Sequence, residues 1–248
     1  MNLGLQEYEQ RMVPPRERFA MSPGLVVILS PTIDPALLEL FLVHFCAMGV
    51  HMTEPVEGWI RCAGERCVGL GLEELGRALQ NHAKGEAGHH HLMMADVKTL
   101  TTRWNTHRTP HLDSDVLLKQ PPSLGVRRYC EVHEHSIAGN TPFAQIAIEY
   151  EIEMLSLRYG QQLITNCVAQ LGQDILGCLR FLTDHVDLDV GHTKFNAREL
   201  EKFIIHHPTS VSVLVAAGSA ALDAYAQFLT DCLERARRQL GQWHAAEQ

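Results

Sequence analysis

The chain has 248 residues, 46% apolar and 20% charged, with a formal net charge of −8. That length supports a well-filled core, and the composition is ordinary for a globular protein. An acidic chain without a basic stripe argues against nucleic acid as a partner. No uninterrupted apolar run reaches the roughly 18 residues of a membrane span, so no membrane partner is expected.

The first residues, Met1 to Glu7, lack the basic and apolar regions of a secretion signal. The seven cysteines are odd in number and scattered, which fits reduced thiols and predicts a cytoplasmic protein. Cys62 and Cys67 are spaced too widely for CxxC, and no second pair would close a zinc site with them.

Taken in chain order, residues 1–33 read as an irregular, partly polar N-terminal arm, with Leu25 to Ser30 as a short apolar strap. Asp34 followed by Pro35 is a helix start, combining a capping side chain with proline in the first turn. A strong apolar helix is predicted from Ala36 to about Val50. Residues 51–70, with one Pro and three Gly, read as a loop. Glu73 to about Asn105 reads as one long helix.

Residues 106–128 carry Pro110, Pro121 and Pro122 and read as a connection with one short helical turn. A short helix is predicted over 129–138. Asn140-Thr141-Pro142 opens a helix that runs to about Tyr159, where Gly160 interrupts. Helical patterns resume over 161–171 and from 173 to about 205, with Gly172 between them. The last helix spans roughly 210–240, started by His207-Pro208-Thr209-Ser210. Strand signals are sparse. The chain is predicted to be all-α with about seven helices, a 34–248 helical domain following the 1–33 arm.

Fifteen histidines are unusual for this length, and one segment uses them in a row: His185-x3-Asp189-x2-His192. Offsets of four and seven place three metal-ligating side chains on one helix face. Imidazole with carboxylate suits iron, manganese or zinc better than calcium or magnesium. Two earlier helices offer partners. Glu86-x-x-His89 is an i, i+3 pair able to hold one iron. In Ile148-Glu-Tyr-Glu-Ile-Glu-Met154, Glu149 and Glu153 share a face while Glu151 points elsewhere. A carboxylate among such apolar residues is costly to bury unless it is paired or ligating.

Taken singly, the Glu86–His89 and Glu149–Glu153 pairs read as surface pairs; their coincidence with the third row argues for a site. The candidate set is Glu86, His89, Glu153, His185, Asp189 and His192, with Glu149 as the alternative to Glu153. Three ligands per metal with open positions for oxygen is the pattern of reactive non-haem iron. Three carboxylates against two Fe(II) ions leave a net positive charge, which would favour an anionic substrate. His90 and His91 are expected to face outwards or line an entrance. Glu131, His133, Glu134 and His135 read as a solvated loop or helix end.

These motifs resemble the heme-oxygenase-like diiron oxidases and oxygenases. That family includes alkene-forming fatty acid decarboxylases and the chlamydial p-aminobenzoate synthase. It shares its fold with thiaminase-like and pyrroloquinoline-quinone-synthase-like proteins. The match lies in Glu86-Ala-Gly-His89, in a Glu within Tyr150 to Ser156, and in His185-x3-Asp189-x2-His192, three helices in that order. It covers roughly residues 70–240. Ferritin-like diiron proteins carry two Glu-x-x-His motifs, and this chain shows one.

The resemblance implies a single heme-oxygenase-like helical bundle and an iron-dependent oxidoreductase. It would use two Fe ions, with Glu153 bridging, and O2 as co-substrate to oxidise a C–H or N–H bond of a small molecule, or to cleave a C–C bond oxidatively. A homodimer and an external electron donor are further expectations. Tyr129, Tyr150, Tyr159 and Tyr225 are candidates to sit near the metals. Two alternatives stand beside this reading: a metal-independent enzyme of the same fold using His/Glu acid–base chemistry, and a non-catalytic metal-binding protein.

Overall fold

The computed structural model describes residues 3–246, and among them there are helices and no strand. The N-terminal arm is not irregular. It forms α1 (Leu3–Ala20) and α2 (Pro23–Ile28). Pro14 and Pro15 lie inside α1, where proline ordinarily disfavours a helix. Tertiary packing overrides them: Tyr8, Met12 and Phe19 recur at helical spacing and are almost wholly buried.

The start of α3 (Pro35–Thr53) is as predicted, with the Asp34 side chain accepting a hydrogen bond from the Leu37 N–H at 2.8 Å. This helix is mainly apolar, with Glu39 and His44 as its buried polar exceptions, and is buried from Leu38 to Met48 as a central core helix should be. Fully burying one of its Leu, Phe or Met side chains contributes about 1.5–3 kcal/mol.

The predicted loop over 51–70 is the end of α3 and a further helix, α4 (Val56–Gly69). Its glycines serve packing rather than turning. A Cβ at Gly64 would stand 2.6 Å from the Gly76 carbonyl oxygen, and one at Gly76 the same distance from that of Gly64. The missing side chains let α4 and α5 (Glu73–Glu86) lie backbone to backbone.

The long helix expected over 73–105 is broken. After α5, a turn over Ala87–His89 leads into α6 (His90–His107). Gly88 makes the break at φ +85°, a conformation open mainly to glycine.

The connection contains one short helix, α7 (Ser114–Leu118), and α8 (Leu124–Ala138) begins earlier than predicted. A 3-10 turn (Pro142–Ala144) precedes α9 (Gln145–Leu155). A π-helical turn (Ser156–Gly160) then joins α9 to α10 (Gln161–Leu171). After a 3-10 segment (Gln173–Cys178) comes α11 (Arg180–His206), and after a second (Pro208–Ser210) comes α12 (Val211–Ala246). The described residues thus hold twelve α-helices rather than about seven. The excess comes from the N-terminal pair, from α4, and from breaks that periodicity did not register.

Two helical stretches are long and apolar enough to cross a membrane by composition. They are Pro35–Gly69, with 72% of its most apolar window buried inside the fold, and Pro208–Trp243, with 39%. The first owes its apolarity to its place in the core.

Of the polar group at the end of α8, Glu131, Glu134 and His135 are exposed, as predicted for a solvated segment. His133 corrects that expectation. It is fully buried, with its ring stacked on Trp59 at 4.3 Å between centroids. The helix turns this one position inward, where burial holds the imidazole down to about 3.

Candidate metal centre

Three helices meet at the centre. The end of α5 supplies His82 and Glu86, the Gly88 turn supplies His89, α9 supplies Glu153, and α11 supplies His185 and His192. Ligating atoms of His82, Glu86, Glu153 and His192 all lie within 4.8 Å of one another, as do those of Glu86, His89 and His185. Glu86 belongs to both groups. Its Oε1 is 3.1 Å from His192 Nδ1, and its Oε2 is 2.9 Å from His89 Nδ1. Glu153 Oε1 stands 3.0 Å from His82 Nε2 and 3.8 Å from His192 Nδ1. One carboxylate thus faces both ways between two groups of side chains that could each hold a metal ion.

Neighbours orient these side chains. The Phe181 carbonyl accepts a hydrogen bond from His185 Nδ1 at 2.8 Å, which fixes the proton on Nδ1 and leaves Nε2 to ligate. Asn196 donates to Glu153 Oε2 at 2.5 Å, leaving Oε1 towards the imidazoles. Asp96 of α6 is fully buried and accepts the backbone N–H groups of Arg180 and Phe181 at 3.1 and 2.9 Å. A side chain distant in sequence thus caps α11 and anchors the helix that carries His185 and His192.

Electrostatics follow from burial and contact. Burial alone would raise Glu86; the hydrogen bonds with His192 and His89 outweigh it and hold the carboxyl well below its usual range. Burial, with the neighbouring His89, lowers His185 to about 4, so its imidazole is neutral and available as a ligand.

The structure brings together Glu86, His89, Glu153, His185 and His192 of the predicted set. Asp189 lies on α11 between the last two, and its side chain is outside the described residues. Glu149 belongs to neither group and accepts a hydrogen bond from Gln145 Nε2 at 2.5 Å. Glu86 is common to both groups, and Glu153 belongs to one of them. His90 is half-buried and His91 exposed, with their rings against each other.

His82 is the residue that sequence reasoning missed. The signal was present: His82-x3-Glu86-x2-His89 repeats the spacing of His185-x3-Asp189-x2-His192.

Beside the cluster lies a cavity of about 150 Å3, reached by Glu86, His89, Glu153 and His185. Its walls are mainly apolar, with Phe45, Met52, Met93, Leu163, Phe181 and Phe228 among them. Phe19, Leu25 and Ile28 of α1 and α2 close one side, so the N-terminal segment is part of the chamber. Tyr129, Tyr159 and Tyr225 line it, while Tyr150 instead donates to Glu9 at 3.1 Å.

No protein-family model and no curated protein matches the chain. Solved structures do. A domain of unknown function with a heme oxygenase-like fold from Shewanella denitrificans OS217 superposes with a TM-score of 0.73 at 16% identity. The match covers 98% of this chain and 95% of that one. A CADD-like protein of unknown function from Nostoc punctiforme PCC 73102 superposes with a TM-score of 0.62 at 14% identity, over 93% and 99% of the two chains. At such identities the likeness concerns the backbone, and on it the chain has the all-α heme oxygenase-like fold.

Proposed function

We propose that the protein is a non-haem diiron oxidoreductase that uses O2 to oxidise a small, largely apolar molecule. The observation that carries this reading is the Glu86 carboxylate shared by two histidine-bearing groups at the wall of an apolar cavity. His82, Glu153 and His192 would hold one ion with Glu86, and His89 and His185 the other. Asp189 is a further ligand in this proposal. The donor set fits iron: imidazoles and carboxylates in a partly buried pocket with no thiolate among the grouped ligands. When bound, the two ions would supply the electrons that activate O2 for oxidation of a C–H or N–H bond.

The chain's own residues do the rest. Glu86 and Glu153 offset the charge of the ions. Asn196 and the Phe181 carbonyl keep Glu153 and His185 aimed at them. The apolar walls keep water from the reacting region and hold the substrate's body.

Anaerobic addition of Fe(II) should load two irons per chain, and mixing with O2 should then give a transient visible absorption. Glu86→Ala should cut the loading to one or none. No iron uptake would sink the proposal. Equal turnover by chelator-treated protein would favour acid–base chemistry by the same residues, and tight, redox-silent zinc a structural metal.

A further inference from the structure

Glu149 is an ionisable cavity group outside the two ligand clusters. It is 5% exposed, lines the cavity, and takes its hydrogen bond from a neutral amide, that of Gln145. Gln145 is itself committed: its second N–H goes to His133 Nδ1 at 2.8 Å, which places the His133 proton on Nε2. None of the described residues lining the cavity is Lys or Arg. Burial pushes the Glu149 carboxyl up to about 8, so an ammonium group entering the cavity would gain by drawing it into its charged form; two other buried carboxylates already have arginines. Glu39 faces Arg103 and Arg108, and Glu151 faces Arg16.

The surroundings of Glu149 suit a particular cation. Tyr129 lies beside it; burial and then the Glu149 charge push that phenol well above its usual range. Tyr225 packs edge-on against Tyr129 at 6.1 Å, and Phe228 against Tyr225 at 5.3 Å, all on the cavity wall. A buried carboxyl group in a cavity walled by aromatic rings suits an ammonium group.

We infer that Glu149 is the binding point for a protonated primary amine at one end of a small apolar substrate. The inference rests on the cavity being the substrate chamber of the proposed oxidase. The volume admits a body of roughly benzene size. An amine gains in Glu149 an acidic partner that an alcohol of the same size cannot use as an ion pair.

The test is calorimetric binding of n-butylamine and 1-butanol at pH 7 to iron-loaded wild type and to Glu149→Gln, with iron counted in each sample. The wild type should prefer the amine at least tenfold, and Glu149→Gln should lose that preference while keeping its iron. Equal binding of amine and alcohol by the wild type overturns the inference. So does a preference that persists in Glu149→Gln, since the amine would then be on the metal. Loss of iron in Glu149→Gln also overturns it, by making Glu149 a ligand.

Glu149→Asp, which keeps the charge but withdraws it by one methylene, covers a failure of the Gln variant to fold. Its amine preference should fall at least threefold, and an unchanged preference again overturns the inference. A wild type that takes up no iron yet shows the Glu149-dependent preference leaves the ammonium site standing and removes the diiron reading alone.

Discussion

Two faces of α9 solve the same problem in opposite ways. Glu151 and Glu153 are two residues apart, both buried, both carboxylates. Glu151 is satisfied from within the chain: Arg16 reaches it through Nε at 2.8 Å and Nη2 at 2.6 Å, and the Tyr8 hydroxyl donates at 2.9 Å. Arg16 also pairs with Glu9. Glu153 faces imidazoles and an amide, groups that orient a carboxylate without neutralising it permanently. A buried charge given an arginine is structural, because the pair is complete. One given histidines leaves a place for a cation from outside. The first face fastens α1 over the chamber, and the second turns towards the histidine cluster that could hold a metal.

Breaking the arginine side should have the largest effect. Arg16→Ala strands Glu151 in the interior and should cost about 3–5 kcal/mol in denaturant unfolding, with or without iron. Adding Glu151→Gln should recover part of that loss. If Arg16→Ala is as stable as wild type, Glu151 does not depend on its arginine and the contrast fails.

Tyr8→Phe removes one hydrogen bond to the same carboxylate and should cost about 1.5–3 kcal/mol, again independent of metal. On the other face the readout changes. Asn196→Ala frees Glu153 to rotate, so iron affinity should fall about 10–100-fold. Comparable iron binding by this variant would show that Glu153 is positioned by other groups. The smallest effect is expected from Glu149→Gln, which is isosteric and lacks a charged partner. Its unfolding free energy should change by about 1 kcal/mol or less, so its effect on amine binding can be read without correction for folding.

The outline of the centre was legible because helical spacing is a local property. His185 and His192 share a face by arithmetic, and the structure brings them together with Glu153, whereas Glu86 and His89 meet across the Gly88 turn rather than on one helix face. The choice between Glu149 and Glu153 was not legible, since both occupy the same face of α9 and differ by one turn. Their neighbours separate them: Gln145 of α9 and Tyr129 of α8 stand by one, Asn196 of α11 and His82 of α5 by the other. His82 was passed over because a single histidine four residues before a glutamate is common on an exposed helix.

The same holds for the fold. Composition and periodicity determined an all-α chain, the Asp34 cap of α3, and the three helices that carry ligands. They could not show that α1 seals the chamber, since Tyr8, Met12 and Phe19 make a stripe only once α9 and α12 stand behind it. Nor could they show that Gly64 and Gly76 join two helices rather than end one, because that depends on what meets each missing Cβ. Local sequence sets which side chains share a face. Packing between distant segments decides which face is buried, which carboxylate finds an arginine, and which is left facing histidines.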